Sequence, residues 1–456
     1  MAILYIATFV VFTYVNIKNI FREGYLTLYS VFYFMIAFLY LLAPAVMFIY
    51  VPDYTAWQIV TINESSEADR ITAWLIVVGI LLILNFAKRA KITQLSEKNF
   101  ELERIYKNDV LLAIEAICKP WFVVLLMIGG IGFLLMVSQI GLSGFIHFSG
   151  QSRGVTASIG GTGSILGYAQ FLSKFLIASL SPGILLYQAK KNRPLKMLLI
   201  LLFAASLLIE IFIAGKSNFI LFVFPFAMLL LSDRKGRIKR SRLVVLVIAI
   251  LVAIYVLDNL FFYLQYGVSV SIYRTSWIAS DYIGRYLKEF AYAYANLLNS
   301  RAIVSEMGYR YFIDYPAIII NLLPAVLLGG LQITPAYTIV DSYYARVGMS
   351  SLSPADYMVF GMLQLDILGL LLISFFRGNI YKEIDNRLQK VRQIFNQCGI
   401  NGMHILSCSS CFGIVSVLIE PFNAVRSQPI LICSIIICLS IYRKLKRMMI
   451  NRGACE

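Results

Sequence analysis

The chain has 456 residues, of which 59% are apolar and 14% charged, with a formal charge of +16 and a mean hydropathy of +0.77. That balance excludes a soluble globule with a polar surface. It also argues against a nucleic-acid partner, because the basic residues fall in short clusters between apolar runs and form no continuous stripe.

Apolar runs near the roughly 20 residues that cross a hydrocarbon core recur about eleven times, so helices, not a barrel, must satisfy the backbone there. The expected fold is an all-α polytopic membrane protein, with residues 1–456 as one integral domain. In chain order, spans are expected at residues 2–17, 26–51, 71–87, 120–140, 165–187 and 197–214, then at 218–231, 243–260, 357–376, 403–419 and 429–442. The first reads as an uncleaved helix with its N-terminus outside, since basic residues follow it and none precedes it. Residues 88–119 read as a charged cytoplasmic or interfacial helix entering the membrane at Lys119-Pro120, proline suiting the first turn of the next span. Residues 141–164 are glycine- and serine-rich and form a small outer loop. The short run at 218–231 holds Pro225 and is expected to be kinked or partly re-entrant.

Residues 261–355 are the one long polar interruption and read as a large extracytoplasmic loop. Within it, residues 311–331 are apolar but interrupted by Asp314, Pro316 and Pro324. Counting them as a span would place the basic clusters at 377–392 and 443–452 outside, so they are expected to form an amphipathic or re-entrant helix on the outer surface. The same bias places the clusters around Lys88, Lys190, Arg237, Arg387 and Arg447 inside.

The outer elements carry Arg153, Lys216, Arg274, Arg285, Arg301, Arg310 and Arg346. Guanidinium groups hold phosphate oxygens bidentately, so such a group of cations suits a lipid-linked pyrophosphate. The competing reading pairs each arginine with Asp281, Glu289, Glu306, Asp314 or Asp341 to order the loop. Tyr309 belongs to a tyrosine-rich run that suits sugar stacking or an interfacial belt equally well. Among charges within spans, Lys174 and Asp366 are expected at mid-depth, at matching depths that allow a pair, and Glu210 near Lys216. His147 is expected outside and His404 at a cytoplasmic boundary. Seven cysteines lie in membrane or cytoplasmic segments, where disulfides seldom form. Cys408 and Cys411 form a CxxC without the second ligand pair that zinc needs. No phosphate-cradling glycine loop, metal cluster or serine elbow is visible, so no metal or cofactor is expected.

Three stretches resemble the O-antigen (oligosaccharide repeat unit) polymerases of bacterial envelopes. They are Ala214-Gly215-Lys216-Ser217; Met307-Gly308-Tyr309-Arg310 with its sequel through Leu323-Pro324; and Ser353-Pro354-Ala355-Asp356 with the span through Leu370. The chain departs from the family pattern at Lys216 and Ala325, where arginine is frequent, and at Asp366, where a neutral residue is frequent. The resemblance implies a metal- and nucleotide-independent membrane glycosyltransferase of the bacterial inner membrane. It would polymerise undecaprenyl-pyrophosphate-linked repeat units of O-antigen or capsule at the periplasmic face, beside a flippase and a chain-length regulator. A sugar hydroxyl would attack the anomeric carbon while lipid pyrophosphate leaves. A carboxylate or histidine (Glu306, Asp341 or His147) would take the proton, and Arg153, Lys216, Arg274, Arg285, Arg310, Arg346 and Tyr309 would bind pyrophosphate and glycan. The alternatives are a lipid-linked oligosaccharide flippase or other transporter, and an O-antigen ligase.

Overall fold

A computed structural model describes residues 1–23, 26–50, 57–89, 106–147, 165–213, 215–232, 279–321, 331–348 and 355–453, with a few positions between 242 and 263. The described residues are helical, apart from turns and an isolated bridge between Leu365 and Ile367. The chain divides into two compact units. The first comprises Met1–Leu95, Ser276–Glu383 and Phe412–Val425, and the second Ser96–Thr275, Ile384–Cys411 and Arg426–Glu456.

The first unit begins with α1 (Ala2–Glu23) and α2 (Leu28–Ala37), the latter capped by Thr27, whose hydroxyl accepts from the Ser30 N–H at 3.0 Å. A π-helical turn at Phe38–Leu42 joins α2 to α3 (Ala43–Ile49). Next come α4 (Trp57–Glu64) and α5 (Glu67–Arg89). Glu67 and Asp69 open α5 and Lys88 and Arg89 close it, the arrangement that complements a helix dipole. In the second unit, α6 (Lys107–His147), α7 (Ile165–Lys190), α8 (Arg193–Ile213) and α9 (Lys216–Leu231) follow. The polar block contributes α10 (Ala279–Met307), α11 (Asp314–Ile320) and α12 (Ala336–Arg346) to the first unit. The chain ends with α13 (Tyr357–Gln397), α14 (Met403–Leu418), α15 (Pro421–Ser427) and α16 (Pro429–Gly453).

Among the described residues six helices are long and apolar enough to cross a membrane, counting the interrupted Tyr357–Gln397 as one, or seven if the bent pair Pro421–Ser427 and Pro429–Asn451 is one span, against the eleven expected. Three further apolar helices, at Ala2–Lys18, Ser217–Leu231 and Met403–Leu418, are shorter, and the expected span at 243–260 lies mostly outside the described residues. Pro120 lies well inside α6, where the charged stretch from Lys107 and the apolar run form one helix, and not at a first turn. That helix bends at Gly141, whose φ of 67° admits glycine with little strain. Pro225 is likewise accommodated within α9. Of the expected surface element at 311–331, the described part is the short α11.

The expected straight span at 357–376 is corrected. Leu365 (φ −158°, ψ 45°) and Asp366 (φ 54°, ψ −145°) leave helical geometry, and the chain reverses there. The Tyr357 and Ser374 hydroxyls are 2.6 Å apart, and a Cβ built on Gly361 would lie 2.9 Å from the Leu370 Cα. In a straight helix residues 357 and 374 would be about 25 Å apart. Residues 357–364 and 367–397 are therefore the two arms of a helical hairpin, whose close approach requires Gly361 and Gly369. The apolar length read as one crossing was the sum of two antiparallel segments.

The second unit uses the same device. A Cβ on Gly129 or Gly132 of α6 would overlap the backbone of α7 at Leu176 and Ser173, so these helices touch through main chain. Lys174 and Glu210 lie within electrostatic reach of one another, and the Lys174 ammonium also donates to the Arg426 carbonyl at 3.4 Å. The partner of Lys174 is thus Glu210 and not Asp366. His404 is fully buried, its Nε2 3.4 Å from the Ser181 carbonyl.

Candidate functional site

The polar groups of the first unit gather around the turn of the hairpin. Helix α10 stops at Gly308, whose φ of 78° provides a left-handed exit. Tyr311 and Phe312, also at positive φ, then fold the chain tightly into α11. This places Arg310 four residues before Asp314 in a bidentate pair. Nε donates to Asp314 Oδ2 at 2.6 Å and Nη2 to Oδ1 at 2.7 Å, while Nη2 also donates to the Thr334 carbonyl at 2.6 Å. Gln364 Nε2 donates to Asp314 Oδ2 at 2.9 Å, and its Oε1 accepts from Phe312 N–H at 2.8 Å.

The break at Leu365 frees two carbonyls that a continuous helix would satisfy four residues later. The Arg310 N–H binds the Leu363 carbonyl at 2.8 Å and the Tyr311 N–H binds that of Gln364 at 3.2 Å. The block between α10 and α11 therefore latches the hairpin turn through main chain and through the Arg310–Asp314–Gln364 cluster. Asp366, at the turn itself, keeps a buried Oδ1 with no hydrogen-bond partner among the described residues.

Glu420 belongs to the same neighbourhood. It is 2% exposed and caps α15, accepting from Phe422 N–H at 3.0 Å and Asn423 N–H at 3.3 Å. Burial pushes its carboxyl up to about 7, and the nearby Asp314 carboxylate acts in the same direction; the two amide bonds and Arg310 oppose the shift. A carboxyl poised there exchanges a proton near neutrality, as a general base must.

Two further networks underlie this cluster. Asp356, fully buried, caps the first arm through Met358 N–H at 2.9 Å, accepts from the Tyr40 hydroxyl and takes a bond from Asn296 Nδ2 at 2.7 Å. Asn296 Oδ1 in turn accepts from the Tyr344 hydroxyl at 2.7 Å. On the second arm, Arg377 donates to the Ser416 carbonyl at 3.0 Å, hydrogen-bonds Tyr315 and lies 5.0 Å above the Tyr357 ring. No carboxylate pairs with it among the described residues. Arg377 lies eleven positions beyond Asp366, about 16 Å along the helix, and is a partly buried cation with protein partners, although sequence groups it with the basic cluster at 377–392.

Of the residues singled out from sequence, Arg310 is in the cluster and Tyr309 beside it is exposed. Arg346 pairs with Glu306 at 3.0 Å, both side chains solvent-accessible. Asp341 is half-buried on α12 and has other interactions. His147 is an exposed residue at the end of α6 in the second unit, and Lys216 opens α9 there. The side chains of Lys216 and Arg285, and the whole of Arg153 and Arg274, lie outside the described residues. Arg310 and Arg346 thus follow the loop-ordering alternative, each meeting a carboxylate. Glu420 and Arg377 went unnoticed because a lone acid before proline and a lone arginine after an apolar run read as a cap and a topology marker. Among the described residues, no group of three or more histidine, cysteine, aspartate or glutamate side chains is placed to hold a metal ion. Comparison of the chain with known protein families, with curated proteins and with solved structures found no match.

Proposed function

We propose that the protein is a membrane glycosyltransferase that joins undecaprenyl-pyrophosphate-linked repeat units at the outer face of a bacterial inner membrane. The observation that carries this reading is the buried Glu420 carboxyl, whose pKa burial raises to about 7, beside Arg310 and Asp314 on segments that charge bias reads as extracytoplasmic. In this reading Glu420 accepts the proton of the attacking sugar hydroxyl. The Arg310–Asp314 pair positions the loop, and Tyr309 offers an exposed ring to the glycan. The departing diphosphate requires fixed cations, a role that Arg285 and Arg377 would fill within the first unit.

The test is genetic. Deleting the gene leaves surface glycan capped by a single repeat unit, whereas full-length chains in the deletion strain eliminate the proposal. A second reading, a flippase or other transporter, is favoured by the interrupted helix at Leu365–Asp366 and the ionisable pair of half-buried Lys174 and buried Glu210, features that transporters use at binding sites. It predicts that the lipid-linked unit accumulates on the cytoplasmic leaflet.

A further inference from the structure

A cavity of about 400 Å³ opens among α1, α2 and α5 in the first unit, within the size range of ligand sites. Its lining combines Val11, Leu82 and Phe86, which are 69%, 55% and 64% exposed, with Lys88 and Arg89 in the last turn of α5. The Lys88 ammonium rests 5.0 Å from the Tyr29 ring centroid. Arg89 is exposed and meets no carboxylate among the described residues. From Leu82 to Arg89 is about 10 Å along the helix, comparable to the depth over which one leaflet passes from headgroups to hydrocarbon.

The lining also holds an unused acceptor. Asn16 is 6% exposed and lines the cavity; its Nδ2 donates to the Ser30 carbonyl at 2.8 Å, while its Oδ1 is buried without a partner. The Asn85 amide is already committed, donating to the Tyr33 hydroxyl at 2.9 Å. A buried amide oxygen left unpaired is costly, so an occupant that supplies a hydroxyl or N–H donor there is favoured. A free phosphate satisfies the cations but gains nothing from the apolar lining. A zwitterionic lipid gains the apolar lining, but its own ammonium opposes Lys88 and Arg89.

We propose that this groove binds an anionic glycerophospholipid. Its phosphate lies against Lys88 and Arg89, a headgroup hydroxyl donates to Asn16 Oδ1, and its acyl chain lies along Val11, Leu82 and Phe86. The claim is independent of the glycan chemistry, so its failure leaves that reading standing.

Native mass spectrometry of the detergent-solubilised full chain, titrated with phosphatidylglycerol, phosphatidylcholine or inorganic phosphate, tests it. Phosphatidylglycerol is expected to be retained at least about tenfold more tightly than phosphatidylcholine. The double variant Lys88→Gln/Arg89→Gln should lose about tenfold or more of that affinity, since each cation near an anionic headgroup contributes about 1 kcal/mol. Asn16→Leu should lose a few-fold for phosphatidylglycerol and nothing for phosphatidylcholine. Lys88→Arg/Arg89→Lys keeps both charges and should bind as the parent does. Equal retention of the two lipids, displacement of phosphatidylglycerol by millimolar inorganic phosphate, or an unchanged affinity in the double glutamine variant each overturns the proposal.

Discussion

Arg310 and Asp314 form an ion pair that shapes a loop and borders a buried carboxyl. Their side chains are 11% and 3% exposed, so removing the cation strands a buried carboxylate, which typically costs about 3–5 kcal/mol. Arg310→Ala is therefore expected to lower the thermal midpoint of the solubilised protein sharply. Arg310→Lys should recover only part of the loss, because lysine cannot make the bidentate contact; full recovery would show that charge alone matters. Glu420 gives a second expectation. Its native pKa is raised from 4.5 to about 7, so the folded state binds the extra proton between those values and stability declines as pH rises through that window. Activity that uses the carboxylate as base should rise over the same range. Glu420→Gln should flatten the stability profile and remove most activity at every pH. A variant that keeps the parental pH-activity profile would exclude Glu420 as the base. Neither role is apparent from residue type, because an acid before proline at a helix start is read as a cap, and Glu420 is indeed one.

At the scale of elements, the informative features are the places where helices touch through main chain. Gly129 and Gly130 are neighbours in α6, yet only Gly129 faces the α7 backbone; a Cβ on Gly130 meets nothing within 4 Å. Gly129→Ala is expected to destabilise by about 1–3 kcal/mol through overpacking, with Gly130→Ala close to neutral. Equal effects in a denaturation assay would refute the close crossing. The hairpin turn makes the opposite prediction. Asp366 holds a backbone conformation that suits glycine, and such strain costs about 1–3 kcal/mol, so Asp366→Gly is expected to raise the unfolding midpoint. A drop in the midpoint would mean that the carboxylate stabilises the turn. The helices themselves were legible in hydropathy, which registers apolar length. The reversal at Leu365 was not, because an apolar run has the same composition whether it runs straight or doubles back.

For the whole molecule, composition and charge bias settle the class, and the described residues agree with a helical chain whose long apolar elements suit a bilayer. The orientation can be tested with single cysteines at exposed positions. Arg346 belongs to a solvent-accessible pair worth about 1 kcal/mol or less, so Arg346→Cys should fold normally and react with a membrane-impermeant maleimide in intact cells. Lys444→Cys, in the terminal basic cluster, should react only after permeabilisation. The reverse pattern would invert every assignment of sides. The loop-ordering partners of Arg310 and Arg346 were among the candidates visible in the sequence, but which acid meets which arginine depends on the turn at Tyr311 and Phe312, which no periodicity encodes.

The folded-back segment also bears on how the chain is made. Insertion machinery that senses apolar length meets residues 357–376 as a single stretch of membrane-crossing size, about 30 Å when helical. In the native protein the two ends of that stretch are neighbours. The native fold therefore requires the stretch to double over, with the N–H groups of Arg310 and Tyr311, some fifty residues earlier in the chain, binding the Leu363 and Gln364 carbonyls at its bend.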